Sequence, residues 1–343
     1  MGVCTDKGST ASDINKHTMK IYRDYFRKGC HGDAEEASKR QAAFMDKVDA
    51  TTVDAASNEQ CSAFAAKDDL HKNLKAIILD RTHASRRGAS RPTEADPYFK
   101  ELFHSQVRRR NSIVQRIHRS PLMKEWYVAE LRKGNAHDHF QNSSSLGAAK
   151  HRHDSWSDPA VQWVMTTAAM QAAAQRATVH FSTSDPLFVD CKAFLDGINE
   201  VVVFDMGLLT DALCECQLVV RHFDEDRPSI RDQIPIVRHW RHRLKYLYLD
   251  DPPGCMSSMC TYTRVAMDFL GKGPHAITVR GRIVRQYGGT GSLTPHMIET
   301  SLARMVRFVH ANDAVLAAEY PDFELVGAFF IFKIEGQIHN GGR

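Results

Sequence analysis

Hydrophobic and polar positions alternate in two different ways along the chain, and the change falls near residue 158. Upstream, apolar residues recur at helical spacing. "DINKHTMKIYRDYFRKG" (13–29) opens at a capping residue, Asp13, sets Ile14, Met19, Tyr22 and Phe26 near one face, and stops at Gly29. "AEEASKRQAAFMDKVDA" (34–50) is rich in strong helix formers, and "NEQCSAFAAKDDLHKNLKAIILD" (58–80) continues the theme. "RTHASRRGASRPTEADP" (81–97) is basic, small and proline-containing, which predicts a loop. From Pro97, "PYFKELFHSQVRRRNSIVQRIHR" predicts a helix with Phe103, Val107, Val114 and Ile117 as its apolar stripe and its arginines on the remaining surface. Pro121 ends or bends it, and "LMKEWYVAELRKG" adds a last helix before a polar tract. The resulting division is a helical basic region over 1–133, a polar linker over 134–157, and a second domain over 158–343.

Downstream, helical segments alternate with short valine- and isoleucine-rich runs. "DPAVQWVMTTAAMQAAAQRA" (158–177), "DPLFVDCKAFLDG" (185–197) and "LLTDALCEC" (208–216) predict helices. "TVHFS" (178–182), "EVVVFD" (200–205), "QLVVRHF" (217–223), "LKYLYLDD" (244–251), "AITVRGRIV" (276–284) and "ELVGAFFIFKI" (324–334) predict strands. "TPHMIETSLARMVRFVHANDAVLAAEY" (294–320) is the clearest helix, opened by Thr294 and Pro295. Such alternation predicts an α/β (or α+β) fold with a mostly parallel or mixed sheet.

In an open α/β sheet, ligands bind beyond the carboxyl ends of the strands. The polar groups at those ends are Ser182, Thr183 and Ser184, then Asp205, then Asp250 with Asp251. Neighbouring parallel strands would bring them to one crevice. Hydroxyls and amides there would hold phosphate, and the three aspartates would hold Mg²⁺ or Mn²⁺ through oxygen. Asp at a strand end also reads as a simple turn former. The glycine cluster in "RQYGGTGSLTPH", with Gly289 and Gly291 before a capped helix, is a second candidate anion site, with Arg280 and Arg282 on one side of the preceding strand. It lacks the G-K-[ST] ending of a nucleotide-binding P-loop.

"VVVFDMG" resembles the first motif of haloacid-dehalogenase-like phosphohydrolases, a likeness that implies a nucleophilic role for Asp205. The place of that family's second Asp is Gly207 here. The order of elements over about residues 177–251, ending in "YLYLDD", also resembles nucleotide-sugar-binding glycosyltransferases of the A type, which implies acidic residues holding Mn²⁺ or Mg²⁺ on a diphosphate. Both are local likenesses.

Charge divides the chain as well: residues 1–150 carry a net +7 and the rest −3. The basic excess is concentrated in 81–133, where Arg108, Arg109, Arg110, Arg116 and Arg119 lie on one predicted helix. Such a surface suits the phosphates of nucleic acid, or a protein partner. Eight cysteines in a chain of 343 residues without an apolar leader predict reduced thiols and an intracellular, cytoplasmic location, with nuclear or peripheral-membrane placement as variants. Zinc is not expected, because Cys214, Cys216, Cys255 and Cys260 have an unusual spacing for it. The H-x-H pairs His137/His139 and His151/His153 read as linker residues, and Gly2 with Cys4 offers a route to acylation, although Asp6 departs from that motif. The leading expectation is a transferase or hydrolase acting on a phosphate-bearing, nucleotide or nucleotide-sugar type of substrate at the acidic strand ends. The alternative is a non-enzymatic nucleic-acid-binding or protein-interaction protein using the basic helices 97–133.

Overall fold

The computed structural model describes residues 11–46, 50–53, 76–79, 81–133, 156–223, 233–252, 256, 258–271, 276–279, 282–285 and 293–319. Its fold is mainly helical, which overturns the α/β expectation. Extended backbone is confined to two isolated pairs of four-residue segments: β1 (Ala50–Val53) parallel to β2 (Ala76–Leu79), and β3 (Ala276–Val279) antiparallel to β4 (Arg282–Arg285). Neither pair makes a sheet layer on which helices could stack.

The chain separates into two compact units. The smaller comprises Met1–Ser85, Phe223–Pro235 and Leu316–Arg343. Within it α1 (Ala11–Gly29) and α2 (Ala34–Met45) form a hairpin. Its turn uses Gly32 at φ +91° and the cap Asp33, whose carboxylate accepts from the amides of Glu35 and Glu36. Tyr22 and Phe26 meet Phe44 across the hairpin, with ring centroids 5.4 and 5.7 Å apart.

The larger unit comprises Arg86–His222 and Ile236–Val315. Its helices are most of α3 (Arg81–Ala95), α4 (Pro97–Phe103) with a π-helical turn at His104–Arg108, α5 (Ile113–Arg119), α6 (Pro121–Lys133), α7 (Ser157–His180), α8 (Pro186–Gly197) and α9 (Glu200–Phe223). α10 (Gln233–Lys245) follows with a π-helical turn at Tyr246–Asp250, then α11 (Thr261–Gly271) and α12 (Pro295–Glu319). Caps set several boundaries. Asp96, Ser112, Ser120, Asp185, Asn199 and Thr294 each accept from an amide in the first turn of the helix that follows. Four of them precede α4, α6, α8 and α12, whose first residue is proline, the ring pre-setting φ where no amide partner is needed.

Most of the expected strands that fall on described residues are helical. "TVH" belongs to the end of α7, and both "EVVVFD" and "QLVVRHF" lie inside the single 24-residue helix α9. All residues from 203 to 213 are buried, so α9 is enclosed on every side at its centre. A helix buried all round shows a continuous apolar run, and that is also how a buried strand reads. The β-preference of valine is a weak prior beside such packing. "LKYLYLDD" is the end of α10 and its π-helical turn, and "RTHASRRGASRPTEA" forms helix α3 with Pro92 inside it rather than a loop. "AITVRGRIV" falls on β3 and β4, while 324–334 lies outside the described residues.

Basic residues also build this unit. Arg116 on α5 binds Asp190 on α8 at 2.6 Å through Nε. Arg176 on α7 reaches Glu130 on α6 at 2.5 Å, and on α12 Asp313 takes Arg241 and Lys245 of α10, each at 2.9 Å. Phe103, Val107, Val114 and Ile117 are all fully buried, and Phe103 stacks on Trp156 at 4.6 Å.

At Gly207, α9 and α11 approach each other closely. A Cβ there would stand 2.9 Å from Thr263 Cα, a backbone atom, and 3.1 Å from Tyr262 O. Gly207→Ala is therefore expected to lower stability by about 1–3 kcal/mol through overpacking, less the roughly 1 kcal/mol by which Ala favours a helix. Gly197, with nothing within 4 Å of its added Cβ, is the control and should tolerate Ala. Urea unfolding of the two variants checks the contrast.

Candidate functional site

Asp205 sits in the first half of α9 with no exposure to water, where an unanswered charge would cost several kcal/mol. Two other helices answer it. The Tyr98 hydroxyl on α4 donates to its Oδ2, and Arg304 Nη1 on α12 donates to the same oxygen at 2.6 Å. The Arg304 guanidinium also lies over the Tyr98 ring, 3.9 Å from its centroid, so cation, phenol and carboxylate form one closed cluster. Oδ1 and the buried Ser301 Oγ lack a hydrogen bond of good geometry, yet Ser301 stands close enough to favour the ionised carboxylate. Burial raises the Asp205 pKa and outweighs Ser301, Tyr98 and Arg304, which all pull it down. Burial, reinforced by Asp205, pushes the Tyr98 phenol well above its ordinary range.

Around this cluster the same helices meet again. Arg307, one turn beyond Arg304, donates to Asp96 Oδ2 at 2.9 Å, while Asp96 Oδ1 caps α4. Phe308 packs edge-on to Phe99 at 6.1 Å, and Asn312 Nδ2 donates to the Gly88 carbonyl at 2.7 Å. On another face of α9, Asp211 accepts from the Tyr262 and Thr263 amides at 3.0 and 2.8 Å and from the Thr263 hydroxyl at 2.7 Å. It thereby caps α11 from a different helix. Burial raises the Asp211 pKa against those donors.

The residues chosen from sequence are dispersed. Asp205 is enclosed in a helix rather than presented at a strand end, and Asp250 and Asp251 are exposed in the π-helical turn and just after it. Ser182, Thr183 and Ser184 form the exposed turn between α7 and α8, with Ser182 and Ser184 hydroxyls 3.2 Å apart. Without a parallel sheet, no row of strand ends draws these groups to a common crevice. Arg280, Gly289 and Gly291 lie outside the described residues, and Arg282 is in β4 with no side-chain description. No group of three or more His, Cys, Asp or Glu side chains placed to hold a metal occurs among the described residues.

Among the thiols, burial pushes Cys191 and Cys214 each up to about 12, which leaves them as poor nucleophiles. Cys255 and the histidine pairs of 137–139 and 151–153 lie outside the described residues. Tyr98, Arg304, Asp96, Arg307 and Asp211 were not singled out from the sequence. Their partners lie about 50 to 211 positions away, and no local spacing announces such pairs.

The five arginines of the basic segment play different roles. Arg108 binds Glu94 at 2.7 Å and lies 5.3 Å from the Trp156 ring centroid, Arg109 grips Glu101 through both terminal nitrogens, and Arg116 holds Asp190. Arg110 and Arg119 are exposed, as are His118, Lys124 and Arg132.

No family model, curated protein or solved structure matches this chain. No helix among the described residues is long and apolar enough to cross a membrane.

Removing Arg304 leaves a buried carboxylate without its cation, so Arg304→Met is expected to cost about 3–5 kcal/mol at neutral pH. The loss depends on pH with a defined sign. A folded-state pKa raised above the unfolded value means that the native state binds the extra proton, so stability falls as pH rises through that interval. Without Arg304 that pKa rises further, and the defect of Arg304→Met should be smallest in acid and grow toward neutral pH. Asp205→Asn, which has no proton to lose, should abolish this pH-dependent part. Urea unfolding of the three proteins across the carboxylate range measures it.

Proposed function

We propose that the chain is a non-enzymatic nucleic-acid-binding protein that contacts phosphates through the exposed cations of α5 and α6 and the turn before α5. The observation that carries this reading is the split within the arginine cluster. Arg108, Arg109 and Arg116 are held by Glu94, Glu101 and Asp190, and so fix the helices. Arg110 lies in the turn before the seven-residue α5, Arg119 is its last residue, and neither makes an ion pair among the described residues. At 1.5 Å per residue, α5 carries Arg119 about 9 Å along the axis from the helix start that follows the Arg110 turn. Lys124 is exposed in the first turn of the next helix, beside Glu125, and His118 precedes Arg119.

Exposed cations on a framework held by its own ion pairs lose little freedom when they meet phosphate, and each contact displaces condensed counterions. The enzymatic reading has less support. Its acidic centre requires Asp205 at an open strand end, and Asp205 is closed off by Tyr98 and Arg304.

Changing Arg110, Arg119 and Lys124 together to Gln should leave the melting transition nearly in place, since exposed substitutions shift stability by about 0.5 kcal/mol each. The same change should weaken binding and flatten its logarithmic salt dependence by up to about three units on duplex DNA and about two on single-stranded RNA. Fluorescence anisotropy titrations at several salt concentrations decide the matter, and an unchanged affinity and slope would overturn the proposal.

A further inference from the structure

The smaller unit carries a second cationic surface that owes nothing to α5 and α6. On α1, Lys16, Lys20, Arg23 and Arg27 follow the spacing i, i+4, i+7, i+11. At 3.6 residues per turn, the four fall within about 60° of one another round the helix and form a row about 16 Å long. All four are exposed, and none makes an ion pair among the described residues. Asp24, exposed and four positions after Lys20, is the nearest acidic residue along α1. Across the hairpin, Glu35 and Glu36 are engaged by Lys39 and Arg40 of their own helix.

The hairpin fixes the direction in which this row points. Tyr22 and Phe26, roughly 90 to 130° round α1 from the row, are taken up by Phe44 of α2. The packed face turns toward α2 and the cations turn away. Four like charges one turn apart repel each other by a few tenths of a kcal/mol per pair in an isolated helix. A row of four exposed cations with one carboxylate, Asp24, beside it is therefore a feature that a ligand of opposite charge would stabilise.

We infer that the Lys16–Lys20–Arg23–Arg27 row is a binding site for the phosphate backbone of a nucleic acid, separate from the surface on α5 and α6. A linear polyanion fits the row's shape. One strand of duplex DNA presents a phosphate about every 3.4 Å along the axis, so the row runs beside four or five of them. An anionic lipid surface fits less well. Basic helices that lie on membranes bury an apolar face at the same time, and here Tyr22 and Phe26 already pack on Phe44. The exposed Tyr25 sits on roughly the opposite side of α1 from the cations.

The test uses the full chain and three variants: K16Q/K20Q/R23Q/R27Q, the charge-preserving K16R/K20R/R23K/R27K, and R110Q/R119Q/K124Q. Binding to single-stranded RNA, duplex DNA and vesicles of phosphatidylserine with phosphatidylcholine is followed against salt, with helicity checked by circular dichroism. The four-Gln variant should lose affinity and up to about 3 units of salt slope on single-stranded RNA, and the charge-preserving variant should keep both. If the four-Gln variant loses helicity, K16Q/K20Q and R23Q/R27Q should each lose about half the slope. An unchanged slope in the folded α1 variants would overturn the inference, even if R110Q/R119Q/K124Q lost binding. Loss confined to vesicles would overturn it as well. Loss in the α1 variants with R110Q/R119Q/K124Q unaffected would uphold this site and reject the α5–α6 proposal alone.

Discussion

A carboxylate with no access to water must have its charge answered inside the protein, and Asp205 is answered by Tyr98 and Arg304 at the same oxygen. That requirement fixes how three helices of the larger unit sit together. α9 supplies the carboxylate, α4 the phenol, and α12 the guanidinium, so none can slide without stranding a buried charge. The neighbouring contacts follow from the register thus set. On α12, Ser301, Arg304, Phe308 and Asn312 lie at successive turns, and Arg307 adds a second cation-to-carboxylate bond at the cap of α4. Gly207 and Asp211, one turn apart on α9, accept the backbone of α11.

Much of the helical framework was legible. The segments that became α1, α2, α7, α8 and α12 have helical spacing or capping residues, and the stripe Phe103, Val107, Val114 and Ile117 is buried throughout. The failure lies in α9 and the end of α10. Val201 to Val203 and Val219 to Val220 sit at the two ends of α9, and their β-branched runs read as strands although the helix continues through them. Length was the available arbiter: the largely apolar stretch from 200 to 223 runs far beyond an ordinary strand. Both residues that resembled a turn have tertiary reasons. Gly207 gives room for Thr263, and Asp205 takes the cation from α12.

The candidate site was less legible than the fold. Asp205 reads in the sequence as a strand-end carboxylate or a turn former, whereas its partners come from 99 and 107 positions away and make it a clasp between helices. The basic segment shows the opposite. Its charge was visible at once, and only the structure separates Arg108, Arg109 and Arg116, which hold the fold, from Arg110 and Arg119, which face water. Charge patterning in a sequence gives the number of cations, and tertiary structure decides how many remain for a partner.

The account depends most on the bond between Asp205 and Arg304, and a double-mutant cycle isolates it. Unfolding free energies of the parent protein, Asp205→Asn, Arg304→Met and the double variant give the coupling between the two side chains, free of their separate packing losses. If this bond is the clasp, the coupling at neutral pH should be about 1.5–3 kcal/mol, with the double variant more stable than Arg304→Met alone. Additive losses, with coupling near zero, would contradict it.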